Sequence, residues 1–314
     1  MSLSLRKFED QKLSDGTDFT FDFGGTLQQS IVGIAYFKLS YGEDHSYELN
    51  KMAMTLSTTP TGNAGTSVKT TVTAVLEDDD HSIDLGESYV SLSAIGVTGS
   101  GEDFNAKLGT QSNIKSGDSE TKICGNASEP VQTSAVMMSG FSMAYSTDIH
   151  RFWYAQTTLK PTDRPADGLY ASITGYCEDD DNNTTDENSF DLIGMTVSTA
   201  ETPPFLVQTW KGQKPDTDVT VDFSEILQPG YVIDSVRVFI ADFKAIYADG
   251  GIGSTDHEIT AIGAGCKKWD GAGNTAVTLT KPGAFVYQTG HGDDKQDNDT
   301  SYVKLVIVAT QRPG

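Results

Sequence analysis

Carboxylates crowd together three times in this chain. Acidic side chains one or two residues apart on a loop can turn several hard oxygens toward one point, which is what a calcium ion takes. Glu77-Asp78-Asp79-Asp80 is the first cluster, Glu178-Asp179-Asp180-Asp181 the second, and Asp293-Asp294 a thinner third. Calcium is therefore the one cofactor the sequence suggests. None of the clusters fits the EF-hand loop, whose glycine and terminal glutamate are missing. The plainer alternative is a solvated acidic loop between two strands.

Other residue types that could do chemistry lack the right neighbours. The histidines are His45, His81, His150, His257 and His291, and three follow an aspartate directly: Asp44-His45, Asp80-His81 and Asp256-His257. Successive residues on a strand face opposite ways, so such pairs make poor catalytic dyads. Ser112-Asn113-Ile114-Lys115 matches S-x-x-K, but in a strand-and-turn setting rather than at a helix start. Gly263-Ala264-Gly265 lacks the third glycine and the helix of a dinucleotide loop. Cys124, Cys177 and Cys266 are odd in number and share no spacing, which reads as small buried hydrophobes in a reducing compartment. The expectation is a non-enzymatic protein with no catalytic residue.

Aromatic residues offer a second kind of site. Trp153 and Tyr154, in Phe152-Trp153-Tyr154, and Trp210 and Trp269 are the candidates for stacking on a sugar face. The competing reading is a tryptophan packed in a sandwich core. Period-two alternation sends Trp153 to the face opposite its neighbours.

The elements that must position these residues come in repeats. Phe37-Lys38-Leu39-Ser40-Tyr41 recurs as Phe141-Ser142-Met143-Ala144-Tyr145 and as Phe243-Lys244-Ala245-Ile246-Tyr247. Thr17-Asp18-Phe19-Thr20-Phe21-Asp22-Phe23 returns as Thr217-Asp218-Val219-Thr220-Val221-Asp222-Phe223, and Leu27-Gln28 as Leu227-Gln228. Each acidic cluster leads into a strand opening with serine and an aromatic: Ser88-Tyr89, Ser189-Phe190, Ser301-Tyr302. The repeating unit is therefore about 100 residues, the size of a small domain. Three tandem units follow: 1–104, 105–202 and 203–314, the last boundary marked by Pro203-Pro204. A separate core is expected in each.

Strand patterns fill every unit. Phe19, Phe21 and Phe23 alternate with polar residues, residues 68–76 and 232–243 read as strands, and 302–309 reads as a strand buried on both faces. Residues 45–56 suit either period. With turn residues every ~8–12 positions, the fold class is all-β: three tandem antiparallel β-sandwiches of jelly-roll or similar type.

Val32-Gly33-Ile34, residues 68–76 and Tyr89-Val90-Ser91-Leu92-Ser93-Ala94-Ile95-Gly96 resemble the H-type lectin domain, with its early V-G-[IL] strand and late W-x-A-[IV]-G strand. Tyr89 stands where that family often has tryptophan. The resemblance covers mainly the first unit. It implies a small trimerising sandwich with N-acetylgalactosamine-type ligands at subunit borders.

Composition narrows the partners. A net charge of −22 argues against nucleic acid and anionic membranes, whose recognition needs clustered Lys and Arg. No apolar run reaches the ~20 residues of a membrane span. The first ten residues have no apolar stretch after their basic pair, so no secretory signal is expected. The reading favoured by tandem sandwiches without such a signal is a structural or adhesion subunit of a virion, phage tail or other extracellular particle, made in the cytoplasm. Its partners are then copies of itself or other particle subunits. The alternative is a lectin with up to three sites for cell-surface glycans.

Overall fold

The computed structural model describes residues 2–14, 16–42, 45–61, 65–99, 106–125, 131–146, 150–164, 167–198, 205–247, 258–288, 295–296 and 300–314. The β-branched and aromatic runs form strands throughout, and among the described residues there is no α-helix. The first unit holds β1 (Ser2–Lys12), β2 (Asp18–Asp22), β3 (Leu27–Ser40), β4 (Lys51–Thr61), β5 (Ser67–Glu77) and β6 (Tyr89–Thr98). The second holds β7 (Ala106–Lys115), β8 (Thr121–Cys124), β9 (Val131–Ala144), β10 (Phe152–Arg164), β11 (Gly168–Asp179) and β12 (Glu187–Ser198). In the third are β13 (Leu206–Gly212), β14 (Val219–Asp222), β15 (Tyr231–Ile246), β16 (Ala261–Gly265), β17 (Lys268–Asp270), β18 (Ala276–Thr280), β19 (Gly283–Tyr287), β20 (Lys295–Gln296) and β21 (Tyr302–Pro313).

The sheets do not respect the units. β1-β6-β3 of the first unit is continued by β16-β19-β20 of the third. Likewise β7-β12-β9 is continued by β4-β5-β2 of the first, and β13-β21-β15 by β10-β11-β8 of the second. Inside each unit the two half-sheets still face each other as a sandwich, with β3 against β5 and β11 against β12. Each half is lengthened by a neighbour, so the three units close into a ring. The registers at the three joins agree: Leu39 pairs with Ile262, Met143 with Met52 and Ala245 with Ala155.

The core follows the same symmetry. Phe37, Phe141 and Phe243, the first residues of the repeated five-residue motif, meet with ring centroids 5.0, 5.3 and 5.9 Å apart. All three are buried. Around this hub the buried apolar residues of all three units form one cluster. The expectation of a separate core per unit therefore fails: an edge-to-edge join between half-sheets leaves each inner face facing its neighbours' as well as its own. One layer from the hub, Gly33 takes the place that Met137 and Phe239 hold in the other units. A Cβ on Gly33 would lie 2.7 Å from Ile193, 2.9 Å from Phe239 and 3.0 Å from the Met138 carbonyl. The first unit omits a side chain there, and Phe239 of the third and Ile193 of the second occupy the space.

The register also corrects the repeat alignment in the middle unit. Phe37 pairs with Val90, Phe141 with Phe190 and Phe243 with Val303. Phe190 is thus the counterpart of Val90 and Val303, and Ser189 that of Tyr89 and Tyr302. The third unit departs most. Gly265, at φ +121, ends β16, and Lys281-Pro282 separates β18 from β19. These breaks fold β17 and β18 away to pair with β14 in a separate three-stranded sheet.

Candidate functional site

Strand direction brings the two described acidic clusters to one end. β3, β9 and β15 finish there and β6, β12 and β21 begin there, as the pairings Lys38–Tyr89, Ser142–Ser189 and Lys244–Tyr302 require. The segments connected to that end are residues 41–50, 77–88, 145–151, 178–187, 247–260 and 288–301. Among the described residues these segments hold His45, His81, His150 and fourteen acidic residues, but only Arg151 and Lys295 as basic ones.

The first two acidic clusters occupy equivalent hairpins between β5 and β6 and between β11 and β12. In each, one carboxylate is turned into its own loop. Asp78 Oδ1 accepts from the backbone N–H groups of Asp80 (2.8 Å) and His81 (2.6 Å), and the His81 ring lies 3.1 Å from both oxygens. Asp179 Oδ1 accepts from the N–H groups of Asp181 (3.0 Å) and Asn183 (2.6 Å). Its other oxygen holds Asn183 Nδ2 at 2.8 Å and His150 Nδ1 at 2.6 Å. Burial raises the Asp179 pKa, but the bonds from Asn183 and His150 outweigh it and leave the value below the ordinary 3.8. Glu178 accepts from the Tyr154 hydroxyl at 2.6 Å. Asp79, Asp80, Asp180 and Asp181 face solvent, with Asp180 beside Arg151. Among the described residues no three His, Cys, Asp or Glu side chains come together as a metal-binding group. Asp293 and Asp294 lie outside the described residues.

His81 and His150 meet carboxylates that are not their neighbours in sequence, Asp78 and Asp179, and His45, His81 and His150 stack on tyrosines. Tyr47 is stacked between His45 and His81, at 5.9 and 3.7 Å. His150 stacks on Tyr145 at 3.8 Å. The motif tyrosines Tyr41, Tyr145 and Tyr247 are buried beneath, and desolvation pushes the Tyr41 and Tyr145 hydroxyls well above the usual tyrosine range. His257 and His291 are outside the described residues. Cys124 and Cys266 are buried, and desolvation raises their thiols to about 11 and about 12; burial pushes the Cys177 thiol up too.

No family model matches the chain, and no curated protein does. Among solved structures it is similar to a chain from "The Triple Jelly Roll Fold and Turret Assembly in an Archaeal Virus", at 12% identity and a TM-score of 0.14, over 99% of this chain and 89% of that one. So slight a likeness carries nothing about what this chain does. The H-type lectin resemblance goes no further than an all-β, sandwich-like fold.

The aromatic candidates are scattered. Trp153 and Tyr154 are half-buried on β10, where a register shift between Phe152 and Tyr154 breaks the expected alternation. Trp210 is half-buried on the edge strand β13, three strands away in the same sheet. Trp269 is only 3% exposed, and its indole N–H donates to the Val236 carbonyl at 3.1 Å. It is a core residue, not part of an open sugar site, because β17 folds inward at the break after Gly265. A grouping the sequence did not reveal surrounds Tyr89. The ammonium groups of Lys12, Lys38 and Lys267 lie 5.5, 5.8 and 5.1 Å from its ring centroid. These lysines are too far apart in sequence for spacing to signal them.

Proposed function

We propose that the chain is a non-enzymatic structural or adhesion subunit of a virion, phage tail or other extracellular particle, whose partners are further copies of itself or other particle subunits. The observation that carries this is the ring of shared sheets around Phe37, Phe141 and Phe243. It makes one chain the covalent counterpart of a homotrimer, a body that fits a threefold position in a larger assembly. Support also comes from the acidic end, where Asp78 and Asp179 hold their own loops and His45, His81 and His150 stack on tyrosines. The sugar-binding alternative loses Trp269, and its remaining candidates are dispersed.

Electron microscopy of the purified chain over a range of concentration and salt tests the reading. Ordered oligomers of defined symmetry are the expected result. A chain that stays monomeric under every condition overturns it.

A further inference from the structure

The chain has five arginines, and three of them are paired with carboxylates: Arg151 with Glu48 and Asp180, Arg164 with Glu120, and Arg312 with Asp234. The other two, Arg6 and Arg237, have no ion pair among the described residues, and they lie together. Arg6 is on β1, opposite Ala94, and Arg237 is on β15, opposite Val308. The pair therefore sits mid-strand, where the first unit touches the third. Arg6 Nη1, at 3.0 Å, and Arg237 Nη2, at 2.6 Å, donate to the same oxygen, the Leu5 carbonyl.

Their other bonds go to the backbone too. Arg6 Nε donates to the Asp22 carbonyl, and Arg237 Nη1 to the Val236 carbonyl. Arg6 Nη2 has no partner among the described residues, and Arg237 Nε is buried without one. The carboxylates of this region are committed elsewhere. Asp22 accepts from the Gly24 N–H at 2.9 Å, and Glu9 from the Lys7 ammonium at 2.8 Å and the Trp269 N–H at 3.1 Å. Burial, and then the charge of Arg6, bring the Arg237 guanidinium down to about 10, against the opposing pull of Glu9. Carbonyl oxygens satisfy N–H groups but leave both charges standing. In a chain with 44 acidic residues and 22 basic ones, carboxylates are plentiful, and this like-charged pair is kept apart from them.

We infer that Arg6 and Arg237 form a site for a small, doubly charged oxyanion of the sulfate or phosphate kind. Two unpaired positive charges match a dianion, and guanidinium N–H groups suit its oxygens. Arg6 is half-buried, its bond to Asp22 lies at the surface, and it meets the ligand through Nη2. Arg237 adds charge from the more enclosed side, where water screens it less. The inference goes beyond the particle-subunit reading and does not depend on it.

The test is calorimetric titration of the full chain with inorganic sulfate, inorganic phosphate and acetate, in chloride buffer of matched ionic strength. Saturable binding of a single sulfate or phosphate is expected, weakening as salt is raised, with acetate weaker for want of a second charge. Arg6→Gln should bind sulfate roughly tenfold more weakly, equivalent to ~1.4 kcal/mol. Arg312→Gln, which removes a paired arginine on β21, should bind as the parent does. Absence of saturable binding to the parent overturns the inference whatever the variants do. Acetate bound as tightly as sulfate overturns it as well, and so does Arg6→Gln binding as the parent does or weakening no more than Arg312→Gln.

Discussion

The hub of the ring and its acidic end both descend from repeated sequence, and they use the repetition differently. At the hub the same residue type does the same thing three times: Phe37, Phe141 and Phe243 bury the same ring against the other two. At the acidic end similar residues do related but unequal things. Asp78 and Asp179 both cap their loops, but the partner of Asp78 is exposed His81 and that of Asp179 is the more enclosed His150, whose side chain is 18% exposed. Repetition at the hub is a packing requirement, because removing one ring takes a contact from each of the other two. At the acidic end, repetition of the outer carboxylates needs only common descent.

Breaking the hub should have the largest effect. Phe141→Ala removes a fully buried ring from a site where two other units press on it, and about 3–5 kcal/mol of stability should go with it. Phe37→Ala and Phe243→Ala should cost a similar amount. Because the core is one cluster, urea unfolding followed by fluorescence and by circular dichroism should give coincident single transitions that shift together. A variant that melts one third of the molecule and spares the rest would show that the units are independent. A second probe of the same layer is Gly33→Ala. Its added carbon meets Ile193, Phe239 and a carbonyl at 3.0 Å or less, and the overpacking should cost roughly 1–3 kcal/mol.

Much of the strand pattern was legible in sequence. Phe19 and Phe21 are buried between exposed neighbours on β2, and residues 305–309 are buried on both faces of β21. The motif phenylalanines were visible as a repeat but not as a hub, because their partners are about a unit apart in the chain and edge pairing between half-sheets leaves no local trace. The one-residue error at Ser189 has a plain cause. An aromatic in each copy suggests alignment of Phe190 with Tyr89 and Tyr302, but a shift of one residue exchanges inner and outer faces. Phe190 packs inward like Val90, and Tyr89 stands outward among lysines. The acidic loops were legible as loops. Which oxygens they keep for themselves was not, since that depends on hairpin geometry and on His150 arriving from another strand.

Within the acidic end, Asp179 should matter more than Asp78. Its side chain is only 4% exposed, and it satisfies two backbone N–H groups and two side chains. Asp179→Ala strands those donors and should cost about 1–3 kcal/mol. The pH dependence has a definite sign. The folded-state pKa lies below the ordinary 3.8, so the carboxylate's stabilisation is complete above that value and is lost as pH falls through the lower folded one. Urea midpoints measured from pH 6 down to pH 2 should fall on the acid side for the parent and less steeply for Asp179→Ala. Parallel acid limbs would remove Asp179 from the account.

The smallest effect is expected at the carboxylates that face water. Asp80 and Asp181 are exposed, and what each gives its loop is a backbone N–H donated to Asp78 or Asp179, which the asparagine analogue keeps. Asp80→Asn and Asp181→Asn should therefore move the urea midpoint by no more than about 0.5 kcal/mol equivalent, the usual range for a surface change. Added calcium sharpens the contrast. A cation held jointly by these loops would raise the melting temperature of the parent and not of the double variant. The expected result is identical melting curves with and without calcium for both proteins, since the two best-placed carboxylates, Asp78 and Asp179, are already engaged by their own loops. A calcium-dependent rise that vanishes in Asp80→Asn/Asp181→Asn would instead make the acidic end a ligand site and remove the distinction between a hub kept by packing and loops kept by descent.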